Sequence, residues 1–167
     1  MHPGHRMAAE RALRALLIGA TFVGAHWYGT LDSVLARPHD GPDGKPYDIA
    51  YDEIHLFIEA PFALFSARPI TMPDRVEDMP RMPFDEQVAT LARAARDPIK
   101  DVALGEQYPH LILTFESGRV FFLNGYDKEF ESWSVRTTSA AGGDWTIVAT
   151  PGGNIAVFDP KRTIHLG

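Results

Sequence analysis

Apolar and polar residues alternate most regularly in the second half of the chain. HLILTFE (110–116) and RVFFL (119–123) are two β-rich apolar runs separated by Ser117 and Gly118, a pair suited to a tight hairpin turn. ESWSVRT follows, and WTIVAT and NIAVF flank Pro151, Gly152 and Gly153. Five strand-like runs in about fifty residues far exceed the usual strand share, so this half is predicted to be mainly sheet. In the first half, TFVGAHWY (21–28) and LDSVLAR (31–37) are joined by Gly29 and Thr30. EIHLFIEAPFALFS (53–66) is interrupted by Pro61, which cannot donate to a ladder and must break or bulge the strand.

Helical spacing occurs twice. Ala9, Ala12, Leu13, Leu16 and Leu17 fall on one helical face with Glu10, Arg11 and Arg14 opposite, and Gly19 stands where a C′ glycine belongs. Residues 13–25 also have the length of an export signal's apolar region and end in Val-Gly-Ala, but the helical spacing is the reading adopted. Phe84, Val88, Leu91, Ala92 and Ala95 predict a second helix, with Asp85 and Glu86 in its first turn, Arg93 and Arg96 in its last, and Pro98 ending it. Val88, Leu91 and Ala95 are expected to face the sheet. Between these elements, prolines 69, 73, 80 and 83 exclude regular structure from 67 to 83. No run reaches the roughly 18 apolar residues of a membrane-spanning helix.

The expected architecture is one α+β domain spanning 1–167. It is mainly an antiparallel β meander of nine or ten strands, a curved sheet or partly closed barrel, with two packed helices. A faint repeat accompanies it: IKDVALGEQYPHLILTFESGRVFFL echoes LIGATFVGAHWYGTLDSVLAR plus EIHLFIE, with poor residue identity.

Composition narrows the function. The 167 residues are 45% hydrophobic, enough apolar material for a sizeable core, and contain no cysteine, which removes thiol nucleophiles, disulfides and cysteine-ligated metals. A reducing cytoplasm fits that composition. The net charge of −6 is concentrated in 38–86, where eleven acidic residues oppose Lys45, Arg68, Arg75 and Arg81. Such a surface repels a phosphate backbone and suits a basic protein partner, so neither nucleic acid nor membrane is expected as a ligand.

Candidate chemistry is sparse. Of seven histidines only His2 and His5 lie close together in sequence. His55 and Glu59 share one side of a predicted strand and could cooperate as base and orienter, but an ordinary polar sheet face is the reading adopted. Asp48, Asp52 and Glu53 cluster without the glycine and alternating acids of a calcium loop. PGGN (151–154) lacks a following helix and reads as a turn rather than a phosphate loop, and no G-x-S-x-G occurs. No catalytic set, metal or cofactor is expected. LNGYDKEFESW (123–133) differs in mixing Tyr126, Phe130 and Trp133 with Asp127, Lys128, Glu129 and Glu131, residue types that form interface hot spots. Partner-contact candidates are therefore Asp74, Glu77 and Asp78 in the acidic segment, with Tyr126, Asp127, Glu129 and Phe130 in the aromatic loop. The alternative is a small-molecule or enzymatic pocket lined by His26, Tyr28, His55, Glu59 and Trp133.

GYDKEFESWSV followed by DWTIVATPGGNIAVFDP resembles the C-terminal part of small bacterial proteins, some of which are immunity proteins of polymorphic toxins. The resemblance covers about forty of the 167 residues and has no counterpart in the N-terminal half. It implies an α+β or mainly β fold, a function exercised by binding and occluding one toxin, and no catalytic residues.

Overall fold

The computed structural model describes residues 1–38, 44–45, 53–138 and 144–160. Helix α1 (Pro3–Leu17) leads into β1 (Thr21–Trp27), β2 (Leu31–Ala36) and β3 (Glu53–Ile58); β4 (Phe62–Phe65) precedes a 3₁₀ turn at Val76–Asp78 and helix α2 (Phe84–Ala94). Then come β5 (Ile99–Leu104), β6 (Leu111–Phe115), β7 (Val120–Leu123), β8 (Trp133–Thr138), β9 (Thr146–Thr150) and β10 (Asn154–Phe158). The fold is α+β and mainly β, with all strand pairs antiparallel. Both predicted hairpins form, one turning at Ser117 and Gly118 and the other at residues 151–153. No helix among the described residues is long and apolar enough to cross a membrane.

The expected curved sheet or partial barrel is instead two open sheets, ordered β1-β2-β3-β8-β9-β10 and β4-β7-β6-β5. The reason lies at Pro61. Rather than bulging one strand, it marks the point where the chain leaves the first sheet after Ile58 and enters the second at Phe62. The chain crosses back after Leu123. One cluster of buried apolar residues, including Leu35, Leu56, Phe62, Phe121, Trp133 and Ile147, joins the inner faces of both sheets with α1 and α2.

The faint sequence repeat corresponds to a reciprocal topology. Strands β1-β2-β3 and β5-β6-β7 are meanders each preceded by a helix, and each meander receives as its next strand the fourth strand of the other half: β8 pairs β3, and β4 pairs β7. Local detail repeats as well. Each helix is followed by a residue with left-handed backbone, Gly19 at φ 83° and Arg96 at φ 63°. Gly19 donates to the Ile99 carbonyl at 2.8 Å, and Arg96 donates to the Phe22 carbonyl at 3.4 Å. A register irregularity follows at the matching place in each, between Phe22 and Gly24 and between Ile99 and Asp101. Glycine adopts the left-handed turn freely and arginine at a cost, so geometry is preserved where residue identity is not.

Helix α1 has the predicted buried face, Ala9, Ala12, Leu13, Leu16 and Leu17. Its polar residues do more than face solvent. Arg6, Glu10 and Arg14, four residues apart, form a stripe that closes the open edge of β5. Arg6 donates to the Leu104 carbonyl at 3.1 Å, Arg14 donates to the Val102 carbonyl at 3.0 Å, and the Leu104 N–H donates to the Glu10 carboxylate at 3.0 Å. Helix α2 departs further from expectation. Its buried residues are Thr90, Leu91 and Ala94, while Phe84 and Val88 are exposed and Ala95 falls outside the helix and is half-buried. The helix ends sooner than predicted, and Thr90, whose hydroxyl contacts the Met82 sulfur and receives an Arg93 hydrogen bond, takes the inward position.

Asp97 ties the end of α2 to the β6–β7 turn. Its carboxylate accepts from the Ser117 hydroxyl, the Ser117 N–H at 3.2 Å, and Arg119 at 2.7 Å. Burial works to raise its pKa, but the hydrogen bonds from Ser117 and Arg119 outweigh burial and hold the carboxyl below its ordinary 3.8.

Two expectations follow. Leu91→Ala is expected to cost about 2–5 kcal/mol, whereas Val88→Ala should stay within roughly 0.5 kcal/mol, both read from urea midpoints. Asp97→Ala is expected to cost about 2–3 kcal/mol through its lost charge-assisted hydrogen bonds. Because the folded pKa lies below the unfolded value, Asp97 contributes fully above about pH 3.8 and loses that contribution as pH falls through the folded pKa. The variant's deficit should therefore shrink in acid, a comparison of the two urea midpoints across pH.

Candidate functional site

The two crossovers touch. Glu59 N–H donates to the Ser132 carbonyl, and Asn124 N–H donates to the Pro61 carbonyl, each at 3.0 Å. Along this end of the molecule run three recesses of about 640, 220 and 480 Å³. The first two share Val76, Tyr126 and Asp127, and the last two share Glu59, Ala60 and Pro61, so they form one groove.

One wall is the proline-rich segment. It is held against the outer face of the second sheet, where Met79, backed by Met72, packs on Ala63, Ile112, Val120 and Phe122. That anchorage brings Asp74, Glu77 and Asp78 into the widest part of the groove. The opposite wall is the predicted aromatic loop. Tyr126 packs on Tyr108 with ring centres 4.3 Å apart, and Asp127 lines both recesses. Phe130, 67% exposed, lines the narrow middle together with Glu131. Glu129 contributes only its N–H, which with that of Phe130 bonds the Asp127 carboxylate at 2.7 and 2.9 Å. These two bonds hold the Asp127 carboxyl below the ordinary carboxylate range. The loop is thus held in shape by its own hydrogen bonds.

Its base is fixed by His110, which is 5% exposed. The Gly125 N–H donates to His110 Nδ1 at 2.9 Å, so the neutral ring carries its proton on Nε2, an atom without a hydrogen-bond partner among the described residues. Gly125 is required here because a Cβ would lie 2.0 Å from the Pro109 carbonyl oxygen. Burial pushes the His110 pKa down, opposed by the Asp74 carboxylate.

The groove is net acidic: Asp74, Glu77, Asp78, Asp127, Glu59 and Glu131 face Arg75, Lys128 and Arg81. Six of the seven sequence-predicted contact residues line it, the exception being Glu129. Sequence reasoning missed Tyr108 and His110. The hairpin register contained the signal, since pairing Leu111 with Leu123 carries Tyr108 alongside Tyr126.

The alternative pocket does not assemble. Trp133 is fully buried and its indole N–H donates to the Pro109 carbonyl at 2.9 Å. His55 meets Asp32 at 3.0 Å through Nδ1 and Glu53 at 3.4 Å through Nε2; β3 has ended before Glu59. With its two nitrogens turned to opposite carboxylates, the ring offers no convergent ligand set, and no group of three metal-ligating side chains occurs among the described residues. His26 and Tyr28 stack on each other, both exposed. Of the five, only Glu59 lines the groove. Asp48 and Asp52 of the proposed cation cluster lie outside the described residues. The 480 Å³ recess has other walls, Trp27, Ile58, Phe62 and Met82.

Comparison with protein-family models, curated proteins and solved structures finds no match.

His110 gives a testable pH dependence. Its folded pKa lies below the ordinary 6.5, so protonation is easier in the unfolded chain. The resulting stabilisation is fully present above about pH 6.5 and is lost as pH falls through that value towards the folded pKa. Urea midpoints of the wild type should drop across this window. In His110→Phe, which has nothing to protonate, that component should disappear.

Proposed function

We propose that this chain is a non-enzymatic, cytoplasmic binding protein of the toxin-immunity type, which neutralises a cognate toxin by occluding it. Its acidic groove receives a basic surface of that toxin. The observation that carries this reading is convergence: an acidic segment and an aromatic loop some fifty residues apart, each singled out by composition alone, form opposite walls of one groove. Electrostatic complementarity supplies the steering, and the aromatic side chains supply contact area. The loop's hydrogen bonds to Asp127 and His110 lower the ordering cost on binding. The assignment to toxins rests on the resemblance of the C-terminal forty or so residues.

A second reading, a small-molecule site, is favoured by the 480 Å³ recess, whose volume falls in the ordinary range for ligand pockets and whose apolar walls carry Glu59, Arg81 and Gln87 as polar groups.

A toxin is expected to be encoded beside this chain's gene, a metabolic operon there favouring the second reading, and the test measures binding to that toxin. Its association rate should fall as salt rises, since charges beyond roughly 8 Å are screened at physiological ionic strength. The triple change Asp74→Lys, Glu77→Lys, Asp78→Lys should slow association at low salt by about tenfold or more while the melting temperature is retained. Unchanged kinetics in that variant would remove the acidic wall from recognition, and a metabolite whose stabilising effect depends on Glu59 would favour the second reading.

A further inference from the structure

We propose that the free edge of β1 is a self-association site, at which a second copy of this chain adds its own β1 antiparallel and extends the six-stranded sheet.

The reciprocal halves make the argument by comparison. In β5, the outward backbone groups of Val102 and Leu104 are sealed by Arg6, Glu10 and Arg14 of α1. Their counterparts in β1 are Ala25 and Trp27, placed by the matched irregularities after Phe22 and Ile99. The ladder's phase confirms that they point outward. Tyr28 N–H bonds the Thr30 carbonyl at 3.3 Å across the hairpin, so every second residue back along β1, Ala25 and Trp27 not among them, faces β2.

The turn after α2 caps only the Phe22 carbonyl of β1, and among the described residues no α2 side chain hydrogen-bonds the outward groups of Ala25 and Trp27. Pro83, Gln87 and Leu91 stand where α1 has Arg6, Glu10 and Arg14. Pro83 has no donor, Gln87 donates to the Met82 carbonyl at 3.0 Å, and Leu91 is buried. The N–H and C=O groups of Ala25 and Trp27 are therefore left without a protein partner among the described residues. An extended strand supplies the missing donors and acceptors.

The strand's own chemistry selects a second copy. TFVGAHW has no Lys, Arg, Asp, Glu or Pro, the devices that keep an edge unpaired, so two copies meet without opposing like charges although each chain carries −6. Centred on Ala25, an antiparallel pair sets Val23 against the second copy's Trp27 and His26 against its Gly24, where the missing Cβ leaves room. Val23 and Trp27 are 57% and 54% exposed, and Phe84 packs on Trp27 at 4.7 Å, widening the apolar rim. A basic partner finds no carboxylate on this strand, although Trp27 also lines one end of the groove.

The test is sedimentation equilibrium of the full chain over a wide concentration range, with amide hydrogen exchange at both ends of it. The mass is expected to approach that of two 18.5 kDa chains, with the Ala25 and Trp27 amides more protected at high concentration. Ala25→Pro removes one outward donor that the β1–β2 ladder does not use, and Val23→Lys places a cation on the rim. Each should weaken self-association by about tenfold or more while the dilute protein melts as wild type. If Ala25→Pro fails to fold, Val23→Lys decides. A monomer at every concentration, a dimer whose Ala25 and Trp27 amides exchange as in the monomer, a dimer indifferent to Val23→Lys, or protection of those amides only by a different protein would each overturn the proposal.

Discussion

The structure depends on the reciprocal exchange of strands at the two crossovers. A three-stranded meander has one apolar face and cannot bury it alone. Here each meander gains a fourth strand from the other half, β8 beside β3 and β4 beside β7, and the two inner faces then close over one core. The crossovers are pinned to each other by the Glu59–Ser132 and Asn124–Pro61 backbone bonds. Everything else at that end, from the aromatic loop to the proline-rich wall, is arranged around this junction. A groove arises because the crossing segments are irregular and cannot pack as flush as the strands they join.

Much of this was legible in the sequence, for physical reasons that differ by element. The hairpins at Ser117-Gly118 and residues 151–153 were readable because short-range alternation and turn chemistry agree there. The buried face of α1 was readable because its apolar spacing leaves no competing stripe. The face of α2 was not: Val88 is apolar yet exposed, Thr90 is polar yet buried, and the inward direction depends on where Met82 and the sheet lie. Two sheets rather than one were hidden behind Pro61, because a proline reports that a ladder stops but not where the chain goes next. In the groove, local composition exposed the acidic and aromatic walls, while Tyr108 and His110 emerge only through the hairpin register. The grouping of His55 with Glu59 and Trp133 failed because strand alternation says nothing about where a strand ends or which nearby carboxylate claims a ring.

Charge and aromatic surface are distributed differently in the groove. Three of its six carboxylates, Asp74, Glu77 and Asp78, lie on the proline-rich wall, while the loop that carries Tyr126 and Phe130 also carries Asp127 and Glu131. Negative charge therefore lines both walls, while the exposed aromatic rings are confined to one of them. His110 links the two, since it holds the loop through Gly125 while feeling the field of Asp74.

The reciprocal pairing also governs the order of events during synthesis. Strand β3 leaves the ribosome well before β8, its neighbour in the finished sheet, and at roughly 5–20 residues per second the intervening chain takes seconds to appear. Through most of that interval the N-terminal meander has an inner face with nothing to close on, and β4 has no sheet to join. The six-stranded sheet is consequently completed only after residues 133–138 emerge, whereas the four-stranded sheet has all its strands once β7 is made. The nascent chain therefore carries unpaired strand edges through most of its synthesis.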